Sequence, residues 1–147
     1  MITANLANLE LNEFTGKKQP TQHCRAAFPL VGAHGTQQSA AVYIEVEPNE
    51  NLGRHTDSAE EVLLVLDGQV EVKVGEEKGK ISKGEMAVVP KMVPHDLRNI
   101  GTETARILGF FGGANNIVAT FDVPWQQADS NVVDTAKLIP LAATAKN

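Results

Sequence analysis

Short runs of alternating apolar and polar residues, cut by glycine and proline, make up most of this chain. Residues 40–46 read A-A-V-Y-I-E-V, 69–74 read Q-V-E-V-K-V and 104–111 read T-A-R-I-L-G-F-F. That two-residue period turns successive side chains to opposite faces of a strand. Residues 61–67 and 86–90 are denser in branched apolar side chains, as buried strands are. Shorter strands are predicted over 24–30, 80–82 and 115–121. Punctuation falls between them: a loop at 16–20, a turn at 31–35, a five-residue hairpin loop at 75–79, a tight turn at Lys83-Gly84-Glu85 and a break at Gly112-Gly113. Many short strands with such turns predict an all-β jelly-roll barrel.

The pattern does not say which face of each strand is inside. On 39–47, Val42, Ile44 and Val46 share one face and Tyr43 and Glu45 the other. Tyr43 is therefore a candidate pocket residue. On 104–111 the split is Arg106, Leu108 and Phe110 against Ile107, Gly109 and Phe111. At the N-terminus, Leu6, Leu9 and Phe14 among polar residues predict a short helix of one or two turns opened by Thr3. Phe121 and Trp125 are expected to pack, sealing a barrel end or meeting a partner, and residues 143–147 to fray.

With 147 residues and 42% hydrophobic content the chain has enough apolar side chain for one core, read as a single domain: arm and first strand 1–36, core barrel 37–113, C-terminal strand and tail 114–147. A net charge of −5 without a Lys/Arg cluster disfavours nucleic acid as a partner. No apolar run reaches membrane-spanning length, and the first residues lack the basic and apolar regions of a signal peptide. The single cysteine, Cys24, is expected to pack, and the expected compartment is the cytoplasm.

Chemistry concentrates in two stretches. In the first, His55 and Asp57 fall on one face of an extended segment and Glu61 opens the apolar run that ends at Gly68. In the second, His95 follows two prolines and shares a face with Leu97 and Asn99. If the stretches pair, His55, Asp57, Glu61 and His95 converge into a mixed nitrogen and oxygen site that suits iron, manganese, nickel, copper or zinc. Singly, each residue has a plainer reading: a packing histidine, a polar turn at H-T-D-S-A, a solvated glutamate. His23 and His34 lie outside both stretches and are read as surface or turn histidines, and Asn99 as structural.

The joint spacing resembles the cupin family. Asn49-x5-His55-x-Asp57-x3-Glu61-x6-Gly68 keeps every interval of the first cupin motif, with Asn for its glycine and Asp for its second histidine. Gly84-x5-Pro90-x-Met92-x2-His95-x3-Asn99 keeps the second motif, with Met92 for a glycine. Asn49 is a mild change, because asparagine tolerates left-handed backbone. Asp57 is the serious one, since the family's usual set is three histidines and a glutamate. If Asp57 reaches the metal, two histidines and two carboxylates hold it; if not, His55, His95 and Glu61 remain.

The resemblance implies a small single-domain, quercetinase-like cupin holding one divalent transition metal through His55, Asp57, Glu61 and His95. Glu61 would be ligand and transient base, and Met86, Met92, Phe110 and Phe111 would dry the cavity, with Tyr43 the further candidate pocket residue. It implies a metal-dependent enzyme on a small organic molecule, with dioxygenase chemistry favoured. The alternatives are a non-catalytic small-ligand or sugar-binding cupin and an isomerase or lyase, since the fold decides none of these. It further implies a homodimer through edge strands.

Overall fold

The computed structural model describes residues 1–138. Its twelve strands are β1 (Asn12–Gly16), β2 (Gln19–Leu30), β3 (Ser39–Val46), β4 (His55–Asp57), β5 (Glu61–Asp67), β6 (Gln69–Val74), β7 (Glu77–Ser82), β8 (Met86–Val89), β9 (His95–Asn99), β10 (Ala105–Gly112), β11 (Val118–Trp125) and β12 (Ser130–Asp134). They pair in the order β7-β6-β9-β4-β11-β1-β2-β3-β10-β5-β8, with β12 on β11. Every pairing between strands is antiparallel, as a jelly-roll barrel requires.

Alternation decides the inside. Val42 and Ile44 of β3, Leu63 of β5 and Phe111 of β10 face Leu97 of β9 and Ala119 and Phe121 of β11 across the interior, all buried. Trp125 is fully buried and meets Phe14 and Phe121 edge to face, with ring centroids 5.6 and 5.0 Å away. This aromatic group closes one side of the cavity, as the packing reading of Trp125 and Phe121 expects.

Both cupin-like motifs turn through left-handed backbone at the positions where the family pattern has glycine. Asn49 (φ 68°) and Met92 (φ 63°) adopt it as do Gly68 (φ 87°) and Gly84 (φ 85°). Asparagine accommodates this at little cost, whereas in methionine it costs about 1–2 kcal/mol.

Several elements differ from expectation. The N-terminal helix is one 3-10 turn, Leu6–Asn8, capped by Asn5 accepting from the Ala7 N–H, and Thr3 takes no part in the cap. Phe14 belongs instead to β1, where alternation aims it at Trp125. The 16–20 loop narrows to Lys17-Lys18, and the 75–79 loop to Gly75-Glu76, because strand pairing runs on to Gly16↔Gln19 and Val74↔Glu77. β11 extends to Trp125 and pairs with β12, a strand the polar 126–134 stretch does not announce. The frayed end expected at 143–147 lies outside the described residues.

Candidate metal centre

The two motif stretches are adjacent: β4 pairs with β9 so that His55 faces His95, and Asp57 closes β4. Glu61 opens β5 across the barrel, opposite Phe111 of β10. All four side chains are 3–5% exposed.

The imidazoles are oriented from behind. His55 Nδ1 lies 2.8 Å from the Gly53 carbonyl and His95 Nδ1 2.9 Å from the Val93 carbonyl. A carbonyl only accepts, so each Nδ1 carries a proton that it donates, and each Nε2 presents its lone pair to the interior. Asp57 Oδ2 sits 3.0 Å from His95 Nε2 and 3.5 Å from His55 Nε2. Glu61 Oε1 is 3.6 Å from His95 Nε2. Among the described residues, Asp57 Oδ2 and His95 Nε2 are buried without an aligned hydrogen-bond partner. Facing lone pairs in a dry interior are costly unless a cation lies between them. Donors 3.0–3.6 Å apart suit metal bonds of about 2.1 Å meeting at about 90–120°. His55, Asp57 and His95 form the tightest set, and the donor chemistry fits a divalent transition metal.

Without an ion, the same convergence draws a proton onto His95 Nε2. Burial opposes charge on Asp57, but its contacts with His55 and His95 outweigh that and hold it at about 2. Burial likewise opposes charge on His95, yet Asp57 and Glu61 lift it to about 10. Glu61 moves the other way: burial raises its pKa, the Asp57 charge adds to this, and His95 offsets part. The site thus holds one carboxylate that stays ionised and one that protonates more readily.

Some supporting residues carry no motif signal. Asp96 accepts from the Gly53 N–H (2.8 Å), the Leu97 N–H (2.7 Å) and Asn51 Nδ2 (3.2 Å), clamping the turn whose carbonyl orients His55. Its place beside His95 is the one hint the sequence offers. Phe121 stacks on the His55 ring at 4.4 Å with planes 20° apart. Gly109 of β10 leaves room for Glu61: a Cβ there would fall 2.3 Å from Glu61 Oε2. Asn99, fully buried, donates to the Val46 and Glu103 carbonyls and accepts from the Gly101 N–H, a structural role. His23 pairs with Glu50 and Glu13 at the surface, away from the centre. Cys24 lines the cavity as a packed thiol, pushed up to about 12 by burial.

The cavity beside the four groups measures ≈ 60 Å³. Tyr43, Met86, Met92 and Phe110 do not line it. Tyr43 occupies the opposite face of β3, where its hydroxyl donates to Glu45 Oε2 and accepts from Arg106 Nε. Met86, Met92 and Phe110 point outward, 59, 55 and 44% exposed. Met86 and Phe110 belong to the outer face of β8 and β10, Met92 sits in the turn between β8 and β9, and Phe111 lines the interior instead.

Known proteins place this arrangement. Residues 42–111 match the model of the Cupin domain. An uncharacterized protein of Methanocaldococcus jannaschii is 30% identical over 74 residues, which are 50% of this chain and 59% of that protein's length. Two solved structures share the fold. The polyketide cyclase RemF of Streptomyces resistomycificus has 18% identity over 76% of this chain and 79% of that one, with a TM-score of 0.62. A mutant salicylate 1,2-dioxygenase of Pseudoaminobacter salicylatoxidans has 19% identity over 60% of this chain and 26% of that one, with a TM-score of 0.53. At these identities the likeness is one of fold. Barrel, paired motifs and domain match together place a Cupin domain over residues 42–111 of this chain.

Proposed function

We propose that this protein is a metal-dependent enzyme acting on a small organic molecule, with His55, Asp57 and His95 holding the ion and Glu61 completing the set. The observation that carries the reading is the buried convergence of His95 Nε2 and Asp57 Oδ2 without an aligned partner. A bound divalent metal supplies Lewis acidity and open positions for substrate oxygen. Glu61, whose pKa is raised in the same cavity, takes up the proton that such a substrate releases. Phe111, Phe121, Leu63 and Ile44 exclude water around it. The dioxygenase among the fold neighbours favours oxidative chemistry, and the cyclase keeps a non-oxidative isomerase or lyase in view. Oxygen-electrode assays of iron- and manganese-loaded protein against small enols and phenols test the oxidative reading; turnover without oxygen uptake would move it to the second class.

A non-catalytic binding role has one observation in its favour, a carboxylate where the family pattern has a histidine, at Asp57. Stoichiometric metal with no turnover on any probe would favour that reading. We further propose a homodimer, supported by the exposed apolar side chains Met86, Val88 and Phe110 beside β8, which ends the strand order. A solution mass near the 15.8 kDa of one chain would overturn it. Among the described residues no helix is long and apolar enough to cross a membrane. The cytoplasm is proposed as the compartment, on the strength of the single buried, unpaired Cys24, and cell fractionation tests it.

A further inference from the structure

With a divalent ion in place of the His95 proton, the centre and its surroundings carry no positive charge in excess to receive an anion. Asp57 and Glu61 together neutralise a divalent ion, where a histidine at position 57 would leave it one positive charge in excess. Among the described residues lining the cavity there is no Lys, Arg, Ser, Thr, Asn, Gln or Tyr. The other polar groups are the Cys24 thiol and the Trp125 indole N–H, both uncharged, and Asp96, a carboxylate already engaged by Gly53, Leu97 and Asn51.

The approach is no different. A larger cleft beneath the N-terminal arm shares Phe14, Ala26 and Phe28 with the cavity, and apart from His34 its titratable residues are Glu10 and Glu13. Nearby cations are engaged on the outside: Arg25 with Glu45 and Glu47, Arg106 with Asp67, Lys17 with Asp129. A carboxylate or phosphate entering here would lose its hydration and gain no counter-charge beyond an already neutralised ion. An uncharged molecule loses little. The ≈ 60 Å³ volume is room for about four to six waters, or a ligand of comparable size.

We infer that the centre selects a small, uncharged, mostly hydrocarbon ligand bearing one or two oxygens, such as a hydroxyketone, an enol or an alcohol, and that Asp57 sets this selectivity. The inference rests on the metal reading above. It separates this chain from the dioxygenase neighbour, whose named substrate, salicylate, is an anion.

The test uses the full chain loaded with cobalt(II), its metal content measured first. Hydroxyacetone and glycolate are matched in size, a methyl in one standing where the other has a carboxylate oxygen. Binding is read from the visible cobalt spectrum and from the unfolding midpoint. In the wild type, hydroxyacetone is expected to bind about tenfold or more tightly than glycolate, the reverse of their order on aqueous metal ions. Asp57→His, which restores a positive centre, is expected to gain glycolate affinity by about tenfold or more. Glycolate binding the wild type as tightly as hydroxyacetone overturns the inference while the metal reading stands, and it does so even if Asp57→His loses cobalt. A cobalt-loaded Asp57→His with no gain overturns the role of Asp57. Protein that takes up no cobalt overturns the metal reading, and this inference with it.

Discussion

Replacing Gly109 by alanine tests whether the barrel wall was shaped around Glu61. The new methyl would lie 2.3 Å from Glu61 Oε2 and 2.9 Å from Val42 Cγ1, inside any tolerated contact. β10 is held by β3 on one side and β5 on the other, so the backbone has no room to withdraw. Glu61 must turn away, or the strand must shift. Overpacking of this kind costs about 1–3 kcal/mol. Removing a glycine from a strand returns about 0.5–1 kcal/mol. The expected net loss is about 1–2 kcal/mol, or a fall of roughly 3–8 °C in midpoint for a domain of this size. Displacing Glu61 is also expected to weaken metal binding by about 10–100-fold. Urea unfolding and metal titration measure the two effects. In the double variant Gly109→Ala/Glu61→Ala the clashing carboxylate is gone, so a coupling of about 1 kcal/mol or more is expected between the two changes. Additive single effects, or a Gly109→Ala protein that unfolds and binds metal like the wild type, would refute the reasoning.

Other perturbations have distinct signatures. Asp96→Ala frees the turn behind His55, leaving the Gly53 and Leu97 N–H groups unpaired; it is expected to cost about 1–3 kcal/mol and, by loosening His55, about tenfold or more in metal affinity. Asn99→Ala strips three buried hydrogen bonds; a loss of about 2–3 kcal/mol in denaturant titration is expected, with metal stoichiometry unchanged. In metal-free protein the contribution of His95 is fully present below its ordinary value of 6.5 and is lost as pH rises toward about 10. That of Asp57 is present above 3.8 and is lost as pH falls toward about 2. Chelated protein is therefore expected to melt lower at pH 9.5 than at pH 6, while metal affinity rises over the same interval because the ion displaces the His95 proton. A flat chelated profile would contradict the pairing. Met92→Gly relieves left-handed strain at an exposed site; a gain of up to about 1 kcal/mol is expected, with metal binding unaltered.

The convergence of His55, Asp57 and His95 was readable because spacing along extended chain governs facing. His55 and Asp57, two residues apart, share a face whatever the surrounding barrel does. The left-handed turn at Asn49 was likewise legible from the motif interval, whereas Met92 was read as an apolar cavity residue and its left-handed turn was not. What alternation leaves open is the side. Val42 and Tyr43 are both apolar enough to face a core, and the ion pair of Arg106 with Asp67 beside the Tyr43 hydroxyl, which settles the matter, joins distant strands. Met86, Met92 and Phe110 read as cavity residues because apolar character alone does not distinguish an inner face from an apolar outer one. Gly109 and Asp96 act through pairings across strands, between Glu61 and β10 and between Gly53 and β9, and no local pattern encodes those. β12 is short and polar and is ordered by its pairing with β11, beyond the reach of any propensity argument.

The central claim is that His55, Asp57 and His95, with Glu61, hold one metal ion. Elemental analysis of protein purified without a histidine tag tests it most directly, beside His95→Ala and Asp57→Ala. Near-stoichiometric metal in the wild type, absent from His95→Ala and sharply reduced in Asp57→Ala, is the result expected. No metal in any form, even after reconstitution with iron, manganese, cobalt, nickel, copper or zinc, would contradict the account and leave a barrel whose facing lone pairs are reconciled by a proton alone.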